Sequence, residues 1–228
     1  MQEPVEALRW VVADRHLALF DLDGTLTTGD TMFAFVRHCR GDVRFALGLV
    51  ALAPVLVAHQ LGLVSAERAK VLFLSHYFRG WSRTDLAEHA ETFRDRLDAM
   101  VRPLARERLR WHRDAGHDVV VVSASLDVWV RPWAEGHGIT LLCTEASFES
   151  DAWSGALSTR NCSGAEKVER VRAALALDAY ERIYTYGDSH GDTELLALGH
   201  EASYRPFRSA VAISSASPAV RGESGTSR

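Results

Sequence analysis

The sequence predicts an α/β protein, a doubly wound parallel sheet with a helical segment inserted after its first strand. Three observations carry this reading. Four short runs, at residues 17–20, 119–122, 139–143 and 183–186, are continuously apolar or β-branched rather than alternating, as strands covered on both faces must be. Helical periodicity separates several of them, the alternation that builds parallel sheets. The first two runs stand about a hundred residues apart, whereas one crossover needs only about a dozen.

In chain order, Leu17, Ala18, Leu19 and Phe20 form the first strand and lead directly into Asp21. Residues 30–104 hold few strand signals and several helical ones. Within them Leu86, Phe93, Leu97 and Met100 make an apolar stripe behind Thr84 and Asp85, read as N-cap and first-turn acid. Leu104, Leu109 and Trp111 mark a further helix that ends at Gly116, ahead of the second strand. Val168, Val171, Ala174 and Leu175 repeat at helical spacing over 166–177, and Ser163 precedes Glu166 at capping-box distance. The last residues, 214–228, are rich in Ser, Gly and Pro and read as a disordered tail. The expected organisation is a core from residues 1–29 and 105–213, a helical cap from 30–104, and the tail. A chain of 228 residues is long for one domain and short for two, which suits a core split by such an insertion.

Composition narrows the function. Twenty-six Lys and Arg against 30 Asp and Glu leave a net charge of −4, so a surface built to bind nucleic-acid phosphates is excluded. Mean hydropathy of −0.08 excludes a multi-pass membrane protein but not a single greasy segment. Cys39, Cys143 and Cys162 show neither metal-ligand nor paired spacing, and the first ten residues lack an apolar h-region. A cytoplasmic location is expected, with membrane association left open. That opening comes from residues 45–66, where no charge occurs between Phe45 and Ala66. The run is long enough to span a bilayer, yet Gly48, Pro54, His59, Gln60 and Gly62 interrupt it. Helices buried within the cap, peripheral contact with a membrane surface and a membrane span are its three readings, in that order.

Chemistry gathers where strands end. Asp21-Leu22-Asp23-Gly24-Thr25 sets two carboxylates at the C-terminal end of the first strand, where open α/β sheets bind ligands. Gly24 permits a sharp turn and Thr25 can hydrogen-bond its neighbours, although an Asx-type turn alone would look the same. The second strand ends at Ser123-Ala124-Ser125, whose hydroxyls and free N–H groups suit either a phosphate or a plain N-cap. Lys167 occupies a first helical turn, the unfavourable end of the macrodipole for a cation. It either pairs with a bound anion or is solvated surface. The fourth strand ends at Gly187-Asp188-Ser189-His190-Gly191-Asp192, with Asp188 placed to ligate a hard cation or simply to form a turn.

Taken in order, Asp-x-Asp, Ser, Lys and Gly-Asp-x-x-x-Asp resemble the haloacid dehalogenase-like (HAD) hydrolase superfamily over residues 17–213. A helical cap between the first two motifs, with SAS, NCSGAEK and YGDSHGD, is similar to its phosphoserine-phosphatase-like subfamily IB. The resemblance implies a Rossmann-like core and a Mg²⁺-dependent phosphatase that hydrolyses a phosphate monoester through an aspartyl-phosphate. On that pattern Asp21 is the nucleophile and Asp23 the acid and base. The Asp21 carboxylate, the Asp23 carbonyl and the Asp188 carboxylate hold the metal. Ser123 and Lys167 bind phosphoryl oxygens, with Thr25 and Gly24 lining the phosphate site. Asp192 orients Lys167 or supports the metal shell, and Ser189 and Ser125 are supporting residues. Asp23 also favours phosphate over halide chemistry, because the carbon–halogen hydrolases of the superfamily lack a second acid there.

Departures from the pattern bear on the substrate. Phosphoserine phosphatases read Gly-Asp-Gly-x-Asn-Asp in the fourth motif, whereas here His190 and Gly191 precede Asp192. The Glu that reads the serine amine in those enzymes corresponds to Asp30. Asp30 and His190 are therefore the candidate substrate-recognition residues, and phosphoserine is a weakened candidate. A small metabolite or a lipid phosphate ester remains open as substrate, as does a phosphotransferase or mutase that uses the same intermediate. A non-catalytic binding module is disfavoured by the presence of all five motif residues. The oligomeric state is not legible.

Overall fold

A computed structural model describes residues 15–208, so the expected tail at 214–228 lies outside the described residues. Among the described residues, seven strands and seven α-helices follow one another. They are β1 (His16–Phe20), α1 (Thr31–Gln60), α2 (Ala66–Phe78), α3 (Arg83–Met100), α4 (Pro103–Asp114), β2 (Asp118–Leu126) and α5 (Asp127–Gly136). After them come β3 (Thr140–Thr144), β4 (Ala146–Glu149), β5 (Ala152–Leu157), α6 (Ala165–Ala174), β6 (Arg182–Gly187), α7 (Thr193–Leu196) and β7 (Glu201–Tyr204). The main sheet has the order β3-β2-β1-β6-β7, and every pairing in it is parallel. β4 and β5 form a separate antiparallel hairpin.

The uninterrupted apolar character of β1 has a direct cause. Leu17 and Leu19 face one core layer with Val120, Val122, Val171 and Ile183. Ala18 and Phe20 face the other with Trp129, Trp133 and the cap helices. A strand buried on both sides has no position for a polar residue. Phe20 stacks on Tyr186 with ring centroids 4.4 Å apart, while Phe35 of α1 stacks on Trp129 of α5 at 5.1 Å. Each such fully buried aromatic contributes roughly 1.5–3 kcal/mol of apolar burial, so the helices between β1 and β2 are fastened to the sheet layer by α5. The chain leaves and re-enters the sheet region along adjacent paths: Thr28 N donates to Met100 O (2.9 Å) and Arg102 N to Leu26 O (2.8 Å).

Several local expectations are corrected. Ser82, not Thr84, caps α3. Its hydroxyl accepts from Asp85 N at 2.9 Å and Asp85 accepts from Ser82 N at 3.0 Å, a reciprocal capping box. α6 begins after Gly164, and Ser163 does not cap it. Gly164 has φ +61° and its N–H is committed to Gly191 O at 2.8 Å, so the fourth-motif loop decides where that helix starts. α6 also stops at Ala174, and Leu177 falls in a separate short turn. In α4 the inward residues are Ala105, Leu109 and His112, whereas Trp111 is 45% exposed. β2 does not end at Ser123. It runs on to Leu126 with a register irregularity against β3, so the two serines lie on strand backbone and α5 starts two residues after Ser125. The hairpin β4–β5 and the edge strand β7 were not foreseen.

The uncharged run is mostly not buried. It occupies the later part of α1, after a non-helical Gly41 (φ +76°). This helix is long and apolar enough, by length and composition, to cross a membrane, yet only 11% of its most apolar stretch is buried. Between 42 and 60 only Gly48 and Leu52 are buried, so burial within the cap does not explain its composition.

Candidate active site

The strand order reverses at β1, with β2 on one side and β6 on the other, which makes the C-terminal edge of these strands the topological switch point. Asp21 stands at that edge, its N–H donating to Tyr186 O at 2.9 Å. Leu22–Leu26 then form one wide turn in which Gly24 adopts φ +84°. A Cβ on Gly24 would lie 2.6 Å from Asp188 Oδ2. Only glycine lets the first and fourth motifs approach this closely.

Lys167 is the centre of the site, 2% exposed. Its ammonium donates to Asp21 Oδ1 and to Asp192 Oδ1, both at 2.6 Å. Burial would drive this lysine towards neutrality, but the two facing carboxylates outweigh it and hold it charged above the ordinary lysine range. Burial raises the Asp21 carboxyl to about 7, against the pull of Lys167 and with Asp192 and Asp23 adding to the rise. For Asp192, burial opposes ionisation, yet Lys167 and the Ser189 hydrogen bonds bring it below the usual carboxylate range. The Asp192 Oδ2 atom accepts from Asp188 N (3.1 Å), Ser189 N (3.0 Å) and Ser189 Oγ (2.8 Å). Both oxygens are thus spent on orienting Lys167 and shaping the fourth-motif loop.

Asp23 is held from the opposite side. Its Oδ1 accepts from Thr31 N, and its Oδ2 from Ser125 Oγ, each at 2.6 Å. The direction of the second bond follows from a chain of donors. Trp129 Nε1, which can only donate, reaches Thr31 Oγ1 at 3.1 Å, and Thr31 Oγ1 meets Ser125 Oγ at 3.0 Å. That leaves the Ser125 proton for Asp23. Ser123 Oγ lies 3.4 Å from Asp23 Oδ2 and accepts from Ser125 N at 3.0 Å.

The structure therefore brings Asp21, Asp23, Ser123, Ser125, Lys167, Asp188, Ser189 and Asp192 to one strand edge. The Thr25 hydroxyl is turned to Asp188 Oδ1 at 3.4 Å. His190 is exposed, and it is its carbonyl that is engaged, by Thr193 Oγ1 at 2.9 Å. Asp30 caps α1 by accepting from Phe33 N at 3.1 Å. Its surface is open, but the protein mass around it and the charge of Asp23 raise its carboxyl to about 6. Asp30 also borders a cleft of about 490 Å³ lined by Phe33, Phe45, Leu49, Arg37 and Arg96.

Sequence reasoning missed two cations. Lys70 of α2 reaches Ala124 O at 2.7 Å and also Asn161 Oδ1. Burial lowers its ammonium to about 8 despite Asp23 and Asp30 nearby. Arg208 pairs with Asp188 Oδ2 at 2.6 Å. Neither belongs to a local pattern. Among the described residues, Asp21, Asp188 and Asp192 each offer a carboxylate oxygen within 4.8 Å of the others. Asp192 has both oxygens engaged and Asp188 Oδ2 is held by Arg208, so Asp21 Oδ2 and Asp188 Oδ1, which has only the 3.4 Å contact from Thr25, are the oxygens most open to a hard cation, and a carboxylate donor set fits one.

The fold and site define a doubly wound α/β core with a carboxylate at its switch point. Residues 18–197 match the family model for haloacid dehalogenase-like hydrolases, and the chain belongs to that family. It is 34% identical over 195 residues to the protein CicA of Caulobacter vibrioides, covering 84% of this chain and 86% of that one. It is 31% identical over 211 residues to a probable phosphatase of Mycobacterium tuberculosis, covering 85% and 70%. A crystal structure of a protein of unknown function from Bordetella pertussis aligns with TM-score 0.71 at 27% identity, covering 82% and 88%. A phosphoserine phosphatase captured as a phospho-aspartyl intermediate analogue shares the fold, with TM-score 0.59 at 15% identity over 82% and 84%. The chain is thus a haloacid dehalogenase-like hydrolase with the fold that the phosphoserine phosphatases also have.

Proposed function

We propose that this hydrolase is a Mg²⁺-dependent phosphomonoesterase that works through an aspartyl-phosphate on Asp21. The observation that carries the reading is the Asp21 carboxylate, at the end of β1, paired with buried Lys167 at 2.6 Å and followed two residues later by Asp23.

An anionic nucleophile and an anionic ester repel each other, so positive charge must be built in beforehand. Lys167 supplies it, and Asp192 fixes its position. An Asp21 oxygen attacks phosphorus and the phosphorus–oxygen bond to the alcohol breaks, while Asp23 gives its proton to the departing oxygen. Water then attacks phosphorus, Asp23 takes the proton, and the acyl-phosphate bond breaks to release inorganic phosphate and restore Asp21. Ser123 and Lys167 hold the phosphoryl oxygens through both steps. Asp21 and Asp188 would hold Mg²⁺, which supplies Lewis-acid neutralisation and a template for the phosphoryl group.

The test is Asp21→Asn, assayed for release of phosphate from a generic aryl phosphate, with folding checked by circular dichroism. Activity should vanish in a folded protein; a folded variant at near wild-type rate refutes the nucleophile. EDTA should remove wild-type activity and Mg²⁺ restore it, and indifference to chelation would contradict the role of Asp188. Methanol added as acceptor separates hydrolysis from phosphotransfer by the yield of methyl phosphate. The apolar cleft beside Asp30 favours a second reading, that the ester carries an apolar group. Turnover of alkyl phosphates should then rise with chain length, and a flat or falling series would end that reading.

A further inference from the structure

Helix α1 presents a broad apolar face to solvent. Val43, Leu47, Val50 and Val57, with Leu61 just past the helix, are between 53% and 75% exposed. Together with exposed Pro54, they are spaced by threes and fours, which aligns them on one side. Its other side is attached to the protein: Gly48 packs against Tyr77, and the Tyr77 hydroxyl donates to Phe45 O at 2.6 Å.

Charge surrounds this face without entering it. Arg44 lies at its start, beside the Arg37–Asp42 ion pair, and Arg68 beyond its end, with no charged residue between Arg44 and Glu67. Apart from Lys70, which is turned into the site, residues 36–80 hold five basic and two acidic residues, a local charge of +3 in a chain of −4. Alanines 46, 51 and 53 flank the stripe, where a helical partner would be specified by charged pairs. An apolar stripe bracketed by arginines is complementary to a bilayer carrying anionic headgroups: the side chains enter the acyl boundary and the guanidinium groups meet phosphates. We propose that α1 docks in the plane of an anionic membrane surface through this face. The helix lies along the surface instead of crossing it, because its opposite side is packed on the protein through Gly48 and Tyr77. This inference does not depend on the catalytic reading.

Flotation of the full chain with vesicles tests it. The wild type should float with phosphatidylcholine vesicles containing phosphatidylglycerol, more weakly with phosphatidylcholine alone, and less at high salt. Leu47→Asp combined with Val50→Asp should cut the bound fraction by at least roughly tenfold, and Arg44→Glu should remove the preference for anionic vesicles. All three positions are solvent-exposed, so unchanged circular dichroism and denaturation midpoints serve as the folding control. Absence of binding to either vesicle overturns the proposal, as does undiminished binding of the double variant. A wild-type dimer that ignores vesicles and dissociates on the double substitution overturns it too, and assigns the face to a second copy of the chain.

Discussion

Replacing Lys167 with methionine probes the electrostatic centre of the molecule. Methionine keeps the length of the side chain and removes two hydrogen bonds of 2.6 Å to buried carboxylates. Removing one member of a buried ion cluster costs about 3–5 kcal/mol, because uncompensated charge remains inside. The protein can limit the loss by protonating Asp21, whose carboxyl already stands at about 7 with the lysine present. Without Lys167 that value rises further. A carboxyl raised in the folded state binds a proton that the unfolded chain releases near about 3.9, so stability falls as pH rises through this window. Urea denaturation of the variant should therefore show a deficit near about 3 kcal/mol at pH 5 and a larger one at pH 8. Phosphate-ester hydrolysis should drop at least about a hundredfold at either pH. A variant as stable as wild type at pH 8, with hydrolysis within a few-fold, would refute the assignment of Lys167 as the charge that holds Asp21 and the phosphoryl group.

Three further outcomes are expected. His112 is fully buried and pushed down to about 3 by burial and by the charges of His117, Arg108 and His16. The unfolded chain binds its proton below about 6.5 and the folded one does not, so stability declines as pH falls from 6.5 towards 3, by up to roughly 5 kcal/mol over the whole window. His112→Gln should flatten that slope in urea titrations, and an unchanged slope would place the acid sensitivity elsewhere. Gly24→Ala forces a non-glycine residue into φ +84° and sets Cβ 2.6 Å from Asp188 Oδ2; about 1–2 kcal/mol of backbone strain should accompany a loss of Mg²⁺ affinity, measurable by calorimetry, and unaltered affinity would show that Asp188 does not need this approach. Ser125→Ala removes the 2.6 Å donor to Asp23 and should lower kcat about tenfold, from roughly 1.5 kcal/mol of charge-assisted bonding, with KM unchanged. A kcat within twofold of wild type would mean that Asp23 is positioned by Thr31 alone.

What was legible in the sequence follows from the range of the forces involved. Burial on both faces leaves its mark residue by residue, which is why Leu17 to Phe20 and Val119 to Val122 announced central strands. The hairpin β4–β5 and the strand β7 left no comparable mark. β4 and β7 have four residues each and are only partly buried, so neither contains a sustained apolar pattern. Ser163 has capping-box spacing to Glu166, a local rule, while the start of α6 is decided by a hydrogen bond from Gly164 to Gly191. The two serines after Val122 looked like a helix entry for the same reason, since pairing with β3 prolongs β2 beyond them.

The sequence by itself determined the α/β class, the length anomaly that an insertion resolves, the acidic and hydroxyl residues at strand ends, and the lysine in a first helical turn. All of these are written in contiguous residues, because backbone geometry and strand burial act over a few positions. Tertiary structure alone decided which of those residues meet. It placed Lys167 between Asp21 and Asp192, 146 and 25 residues away, and carried Lys70 and Arg208 to the same edge. It also decided that the apolar side of α1 faces outward. Hydropathy records the composition of a helix, but whether that face is covered depends on what the rest of the chain packs against it.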